Sequence, residues 1–121
     1  MKSQSGRVFR VQKRHRGQKF GLGPYREQTD GSYTVAWYSH GDNVDRPTWR
    51  TDTGVRPTKA LWFGFKSLDQ LYTWFDEEDC LIDLRERGYY IAVFDGHVIH
   101  RPKQSVILAN KPSSLVRTLK L

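Results

Sequence analysis

The segment from Ala60 to Gly88 constrains the fold most, because it contains a strand, a helix start, an amphipathic helix and a helix stop in succession. It opens with the short apolar run ALWFGF, whose length and aromatic content favour a strand buried on both faces and ending at Lys66. Ser67 then predicts a helix N-cap, and Gln70 completes a Ser-x-x-Gln capping box. The helix should therefore begin at Leu68, and the rest of the chain should pack around this unit.

The predicted helix carries one apolar stripe that should face a sheet. Its members follow the i, i+3, i+4, i+7 spacing, and acidic residues occupy the opposite, solvated face. These members are Leu68, Leu71, Tyr72 and Phe75. Asp79 is expected to cap a second turn of helix carrying Leu81 and Leu84, and Gly88 is expected to end it in the left-handed conformation.

The chain has 121 residues without an internal repeat and is expected to form one domain, residues 1–121. The basic segment 1–6 and the tail 112–121 are the candidates for mobile ends. No apolar run approaches the roughly 20 residues that span a bilayer, and the first ten residues contain no apolar signal segment. We therefore expect an intracellular protein without membrane association. A single cysteine, Cys80, excludes an internal disulfide and fits a reducing compartment.

The formal net charge of +7 is unevenly distributed. Residues 1–26 contain eight Lys or Arg residues and no acid, and residues 101–121 contain five and no acid. Seven of the thirteen carboxylates lie within residues 67–87. Because both ends are basic, an anionic ligand is expected near them. Nucleic acid, a nucleotide or pyrophosphate, and an acidic protein surface all satisfy this expectation.

The first strand and the loop after it supply the earliest candidate site residues. Residues 7–12 (RVFRVQ) alternate as a strand, which places Arg10 on the same face as Val8. The basic segment 13–27 contains the sequence GLGPY but matches neither a Walker nor a Rossmann loop. Phosphate contacts in this loop would therefore come from backbone amides and basic side chains.

The next segment is predicted to be a strand followed by a long loop. Asp30-Gly31 predicts a tight turn before the alternating strand SYTVAWY, residues 32–38. From residue 40 to residue 59 the periodicity disappears, and long irregular loops are usually functional or mobile. Trp49 in this loop either folds back into the core, as general burial tendencies favour, or offers a stacking surface to a base.

The last third of the chain is predicted to be entirely β. Residues 89–100 (YYIAVFDGHVIH) predict a hairpin with Asp95-Gly96 as a type I′ turn. Residues 104–108 predict a last apolar strand, which gives five or six strands and one or two mid-chain helices. Because tight turns join the strands, the predicted class is α+β with a mainly antiparallel sheet.

No metal site is expected from the histidines and the cysteine. Such a site would draw on His15, His40, Cys80, His97 and His100. His97 and His100 are three residues apart in a predicted strand, so their side chains should point to opposite faces. The acidic helix around Cys80 should raise the thiol pKa, which argues against a nucleophilic Cys/His pair. The acidic run 76–79 could bind a cation, but a charge run on a helix is far more often a solvated face.

Three short motifs occur in a suggestive order: an arginine inside the first strand (VFRV), a serine opening a helix after an aromatic strand (FKS), and a polar residue starting a late strand (QSV). This order resembles the layout of the ADP-ribosyltransferase fold, in which an Arg or His is followed by a strand-end Ser or Thr and then by a late-strand Glu or Gln. The pattern FRV…GPY…FGFKSLDQLYTWF also resembles small uncharacterised proteins of bacteriophages and prophages.

The resemblance implies a phage host-takeover or anti-defence protein of the host cytoplasm that binds NAD or an ADP-ribose-like nucleotide, either to modify a host target or to sequester a nucleotide signal. Arg10 would contact a phosphate or ribose, Ser67 would brace the nicotinamide ribose, and Tyr25 or Tyr72 would sandwich a ring. Gln104 would stand where the catalytic glutamate usually does. Glutamine cannot supply that negative charge, so binding without transfer is as much expected as catalysis.

Simpler interpretations account for the same residues. Arg10 would pair with a carboxylate of the protein, Ser67 would only cap its helix, and Gln104 would be a polar residue at a sheet edge. A second class of function is weak, sequence-independent nucleic-acid binding by phosphate neutralisation and base stacking. Its candidate residues are Lys13, Arg14, Arg16, Lys19 and Trp49. A third class is inhibition of a host enzyme by direct binding, for which no particular residue is indicated.

Overall fold

The computed structural model describes residues 2–121, which form five strands and four short helices. In chain order these are β1 (Gln4–Gln12), α1 (Val35–Ser39), α2 (Trp49–Thr53), β2 (Leu61–Gly64), α3 (Leu68–Trp74), α4 (Glu78–Glu86), β3 (Tyr90–His100), β4 (Ser105–Leu108) and β5 (Ser114–Lys120). The predicted α+β class with a mainly antiparallel sheet is confirmed. The longest helix in this part of the chain has nine residues, and none is long and apolar enough to cross a membrane.

Strand β3 is the centre of the sheet because it pairs along both of its edges. β1 runs antiparallel to it along one edge. Along the other edge, β5 pairs with the first half of β3, and β4 pairs with the last three residues of β3. β2 pairs with β4, which gives the order β1-β3-β4-β2. Two backbone hydrogen bonds of 2.7 and 2.9 Å join Phe9 to Phe65, so the sheet curls until β1 and the end of β2 meet.

The predicted hairpin over residues 89–100 is wrong, because β3 is one continuous strand. Asp95 does not turn the chain; its carboxylate accepts hydrogen bonds of 2.7 and 3.0 Å from Arg7 of β1. Gly96 lies opposite Gly6 of β1, between the part of β3 that pairs with β5 and the part that pairs with β4. A glycine is required there by close packing and not by a turn, because a Cβ would lie 2.9 Å from Ile107 Cδ1. Long-range pairing overrides the local turn signal.

The two faces of the sheet bury separate apolar clusters. One face is covered by α1, α3 and α4. Its cluster includes Val11, Ala36, Leu71, Phe75, Cys80, Leu84, Ile91 and Val93. The other face lies on the inside of the curled sheet, where side chains from its strands pack together. This second cluster contains Val8, Phe20, Ala92, Phe94, Val98 and Ile107. β1 contributes alternate residues to the two clusters, as the alternation in its sequence predicted.

The predicted strand at residues 32–38 is wrong, because helix α1 occupies most of it. The turn at Asp30-Gly31 does form, with Gly31 in the left-handed region at φ 82°. Thr34 then caps a helix, since its Oγ1 accepts a hydrogen bond of 3.1 Å from the Trp37 N–H. The N–H of the first helical residue donates to Asp83 Oδ2 of α4 at 2.9 Å. A tertiary contact thus helps to start a helix in a segment whose alternating apolar residues had predicted a strand.

The central helix begins where the sequence predicted. Ser67 Oγ accepts a hydrogen bond of 3.1 Å from the Gln70 N–H, and Gln70 Oε1 accepts one of 2.8 Å from the Lys66 N–H. Glu77, and not Asp79, is the N-cap residue of the second helix, α4. Gly88 follows that helix in the left-handed conformation, at φ 88°, as predicted.

The apolar stripe on α3 is narrower than predicted. Leu71 and Phe75 are buried, whereas Leu68 and Tyr72 are exposed. β2 is also not buried on both faces, because Phe63 is exposed. The Phe63 ring meets Trp49 edge-on, with 6.1 Å between the ring centres, and keeps 38% of its surface exposed.

Two regions left open by the sequence are ordered into elements. The irregular segment 40–59 contains α2, and Trp49 at the start of this helix is buried with 3% of its surface exposed. The expected return of Trp49 to the core is therefore confirmed. Residues 4–6 belong to β1, and the tail forms strand β5, so residues 104–108 are not the last strand.

Candidate functional site

A cavity of about 970 Å³ lies beside β2, the end of α3 and the segment that carries α2. All four tryptophans of the sequence line it, within a largely aromatic wall. The aromatic members are Tyr25, Trp37, Trp49, Trp62, Phe63, Phe65, Trp74 and Phe75. We call this space the aromatic cavity. Its volume lies at the upper end of the range of about 300–1,000 Å³ typical of ligand sites.

The wall of the aromatic cavity is also basic. Its Lys and Arg residues are Arg10, Arg26, Arg46, Arg50 and Lys59, and Asp42 is the one Asp or Glu in its lining within residues 2–121. Arg46 is paired with Asp76 at 2.6 Å. Within the same residues, the other four basic side chains form no ion pair. The cavity therefore carries positive charge that an anionic ligand would neutralise.

Arg10 is the buried member of this basic set, with 6% of its surface exposed. Its guanidinium donates to Gln12 Oε1 at 3.2 Å, to the Phe63 carbonyl at 2.8 Å and to the Gly21 carbonyl at 3.0 Å. It also lies 5.1 Å from the centre of the Trp62 ring. These acceptors are all neutral, so the simpler interpretation, in which Arg10 pairs with a carboxylate of the protein, is wrong. Burial lowers the pKa of Arg10 from its ordinary value to about 10, because low polarity disfavours the charged form.

Two glycines of the segment 13–27 let the backbone approach Arg10. At Gly21 a Cβ would lie 2.1 Å from the Lys13 carbonyl oxygen, where Lys13 and Leu22 exchange backbone hydrogen bonds of 3.0 and 2.9 Å. At Gly23 a Cβ would lie 3.3 Å from Arg10 Nη2. The glycine-containing loop thus encloses the guanidinium, which is a role that its sequence did not indicate.

The aromatic cavity brings together only part of the predicted site. Arg10, Tyr25 and Gln104 line it, and Trp49 of the nucleic-acid alternative lines it as well. Ser67 and Tyr72 lie outside the lining, so the predicted grouping of these two residues with Arg10 is not found. The Ser67 hydroxyl oxygen is engaged as an N-cap, and Tyr72 lies on the exposed surface of α3.

Gln104 acts as a buried link in the cavity wall. Its Nε2 donates to the Pro47 carbonyl at 2.9 Å and to Asp52 Oδ2 at 3.3 Å, which holds the segment carrying α2 against β4. It is therefore not simply a polar residue at a sheet edge. The basic residues of the nucleic-acid alternative, Lys13, Arg14, Arg16 and Lys19, lie outside the cavity lining.

A polar cluster that the sequence did not indicate borders the cavity. His40 Nε2 lies 3.2 Å from Glu77 Oε1 and 3.8 Å from Cys80 Sγ. His40 Nδ1 is hydrogen-bonded to the Tyr25 hydroxyl, which also accepts a hydrogen bond of 2.8 Å from Trp74 Nε1. Burial lowers the pKa of His40 and raises the pKa values of Tyr25 and Cys80. Glu77 and Cys80 are three residues apart at the start of α4, but His40, Tyr25 and Trp74 come from other segments and join them only on folding.

Comparison with known proteins places the whole chain in one family. A family model described as Bacteriophage T4 Y00F protein matches residues 1–121. No curated protein and no solved structure matches the chain significantly. The match supports the resemblance to phage proteins and does not extend to ADP-ribosyltransferases. The chain therefore belongs to the Bacteriophage T4 Y00F protein family.

Proposed function

We propose that the aromatic cavity binds a phosphate-bearing nucleotide of the NAD or ADP-ribose class and that Arg10 contacts its phosphate. The observation that carries this proposal is a buried guanidinium, in the wall of a cavity, whose hydrogen-bond acceptors are all neutral. Keeping such a charge in a buried position costs free energy unless an anion offsets it. A bound phosphate would supply that anion.

The donor capacity of Arg10 fits this role. A guanidinium has five N–H donors in a fixed planar arrangement. Three hydrogen bonds to Gln12, Gly21 and Phe63 leave Nη1 and Nη2 with one further N–H each. These two donors suit a phosphate, whose oxygens accept paired N–H groups from arginine.

The aromatic wall suits the rest of a nucleotide. Trp37 lines the cavity and is 45% exposed, with the Tyr33 ring packed against it at 4.8 Å between ring centres, so the remaining ring surface is the proposed platform for a planar base. Stacking of a base on an aromatic side chain stabilises binding by about 1–3 kcal/mol. Arg26, Arg50 and Lys59 add positive charge for the remaining phosphate oxygens.

In a phage family, such binding would serve in the host cytoplasm either to sequester a nucleotide signal or to transfer ADP-ribose to a host target. We favour sequestration, because it requires binding alone. Gln104 occupies the place in sequence order of the ADP-ribosyltransferase glutamate, and its amide is engaged with Pro47 and Asp52. An uncharged side chain in that role cannot stabilise an oxocarbenium-like transition state electrostatically.

The test is to titrate the protein with NAD and with ADP-ribose and to measure binding by calorimetry and by tryptophan fluorescence. All four tryptophans line the cavity, so a ligand bound there should change the fluorescence. Arg10→Gln keeps an amide donor and removes the charge; it should weaken binding by about 1.5–3 kcal/mol, or roughly 10- to 150-fold. Arg7→Gln is the matched control, because Arg7 lies on the same strand but is exposed and paired with Asp95.

Thermal melting of both variants establishes that they are folded. The proposal fails if the wild-type protein binds neither nucleotide, or if Arg10→Gln binds as tightly as Arg7→Gln. Binding of a single-stranded oligonucleotide whose affinity falls steeply with salt, without nucleotide binding, would favour the nucleic-acid alternative instead. Mass spectrometry after incubation with NAD and host lysate would detect ADP-ribose adducts and would overturn the preference for sequestration.

A further inference from the structure

We propose that His40, Glu77 and Cys80 form a zinc-binding site beside the aromatic cavity. Their ligand atoms all lie within 4.8 Å of one another. His40 ends helix α1, Glu77 is the N-cap residue of α4, and Cys80 lies in the first turn of α4. The packing of α1 against α4 therefore assembles the cluster.

The chemistry of the three donors selects zinc. Imidazole nitrogen, thiolate sulfur and carboxylate oxygen are the three kinds of protein ligand that zinc takes. A site with oxygen ligands alone would suit magnesium or calcium, whereas the thiolate of Cys80 favours a softer ion. Three protein ligands with a fourth position for water or substrate is the usual composition of a zinc site that is not purely structural.

The spacing of the donors fits tetrahedral zinc. Bond lengths of about 2.0–2.1 Å to nitrogen or oxygen and about 2.3 Å to sulfur place the ligand atoms of a tetrahedron roughly 3.3–3.6 Å apart. His40 Nε2 lies 3.2 Å from Glu77 Oε1 and 3.8 Å from Cys80 Sγ. For these two pairs, displacements of a few tenths of an ångström would reach tetrahedral spacing. The ligand atoms of Glu77 and Cys80 lie within 4.8 Å of each other, so the 42% exposed Glu77 side chain would have to move by up to roughly 1 Å towards Cys80.

The surroundings of His40 match those of a metal-bound histidine. Such a histidine normally uses its second ring nitrogen in a hydrogen bond that fixes the ring. His40 Nδ1 is hydrogen-bonded to the Tyr25 hydroxyl, which in turn accepts a hydrogen bond from Trp74 at 2.8 Å. The Tyr25 oxygen can also accept the His40 Nδ1 proton, which leaves the lone pair of Nε2 for the metal.

The charges around the cluster are compatible with a bound cation. Arg46 Nη2 lies 3.3 Å from Glu77 Oε1, the same oxygen that approaches His40. Arg46 is held more closely by Asp76 at 2.6 Å and by the Trp74 carbonyl at 2.8 Å. A metal can therefore take the Glu77 oxygen without leaving Arg46 unpaired. Cys80 would bind as the thiolate, releasing its proton to solvent as zinc binds.

This proposal replaces the expectation of no metal drawn from the sequence. That expectation considered the histidines and the cysteine, and it assigned the acidic run 76–79 to a solvated helix face. Glu77 belongs to that run, but it is the N-cap residue of α4 and its carboxylate lies beside His40. His40 also lines the aromatic cavity, so water or a ligand in the cavity would complete the coordination.

The test is titration of the metal-free protein with cobalt(II), followed by displacement with zinc. We expect one cobalt per chain, with the visible bands of tetrahedral cobalt and a near-ultraviolet thiolate-to-cobalt charge-transfer band. Cys80→Ser should abolish the charge-transfer band, and Glu77→Gln should weaken zinc binding, measured by competition with a chelating indicator. Glu78→Gln is the matched control, because it removes the neighbouring carboxylate, which is outside the cluster. Tyr25→Phe should weaken zinc binding by about 10- to 100-fold, the usual effect of losing an outer hydrogen bond.

The outcomes are decisive without any nucleotide. Absence of the charge-transfer band in the wild-type protein would overturn the proposal, and so would zinc affinity unchanged in Glu77→Gln relative to Glu78→Gln. Melting curves without metal report whether each variant is folded. The Glu77 side chain is 42% exposed, so its substitution tests the proposal even where the buried Cys80→Ser variant does not fold.

Discussion

Substitution of Gly96 by alanine tests whether β3 is a continuous strand. In this strand, an alanine Cβ would lie 2.9 Å from Ile107 Cδ1, 3.0 Å from Ser113 Cβ and 3.3 Å from Ile107 Cγ1. These distances are shorter than ordinary carbon–carbon contacts of about 3.5–4.0 Å. The neighbouring side chains or the backbone would therefore have to move.

The expected loss follows from two opposing terms. Overpacking of this kind costs about 1–3 kcal/mol. Alanine recovers part of this cost, because glycine within a strand is less favourable by roughly 0.5–1 kcal/mol. We therefore expect Gly96→Ala to lower the free energy of unfolding by about 0.5–2 kcal/mol.

Urea denaturation of four proteins would measure this loss and its cause: the wild type, Gly96→Ala, Ile107→Val and the double variant. Ile107→Val removes Cδ1, the atom nearest to the new methyl group, so the two losses should be less than additive by about 0.5 kcal/mol or more. Gly41→Ala is the control, because no atom beyond the adjacent residues would lie within 4 Å of the new methyl group and the φ of Gly41 is not left-handed. Wild-type stability of Gly96→Ala, or full additivity with Ile107→Val, would refute the packing explanation.

Three further predictions concern the core, the helix cap and pH. Phe75→Ala should cost about 3–5 kcal/mol, because this buried ring contacts Phe65 and Tyr25; an unchanged melting temperature would contradict the position of α3. Ser67→Ala should lower the free energy of unfolding by about 0.5–2 kcal/mol, measured by denaturation, without changing nucleotide affinity. Weaker nucleotide binding by this variant would show that Ser67 is part of the binding site. Burial lowers the pKa of His100, so the unfolded chain takes up a proton first as the pH falls below the ordinary value of about 6.5, and stability should fall. His100→Gln should reduce this fall in melts between about pH 7 and 5, and parallel curves would show that His100 does not cause it.

The sequence predicted those parts of the fold that depend on local chemistry. The start of α3 follows from the hydroxyl of Ser67, and Gly88 follows α4 in the left-handed conformation, as short-range signals predicted. The predicted cap at Asp79 was wrong, because Glu77 takes that place. The Asp95-Gly96 turn and the strand at 32–38 failed because their local signals were overridden by partners far along the chain. For Asp95 that partner is Arg7, and for α1 it is Asp83.

The same distinction applies to the site. Alternation along β1 placed Arg10 on a core face, and its burial confirms that placement. Its acceptors at Gly21 and Phe63 depend on the curl of the sheet and could not be predicted from spacing. In the cluster of His40, Glu77 and Cys80, the i, i+3 spacing of Glu77 and Cys80 is local, but the position of His40 beside them depends on the packing of α1 against α4 and could not be predicted.

The pairing of β1 with β3 determines when the aromatic cavity can form. The paired residues stand 78 to 94 positions apart in the sequence, from Gln12 with Tyr90 to Gln4 with Val98. Contacts between such distant residues form slowly, because a long loop must close before they stabilise the chain. During synthesis, the edge of β1 that pairs with β3 therefore stays unpaired until residues 90–98 have been made. β3 contributes no residue to the described cavity lining, yet a chain truncated before it would leave Arg10 without the sheet that buries it.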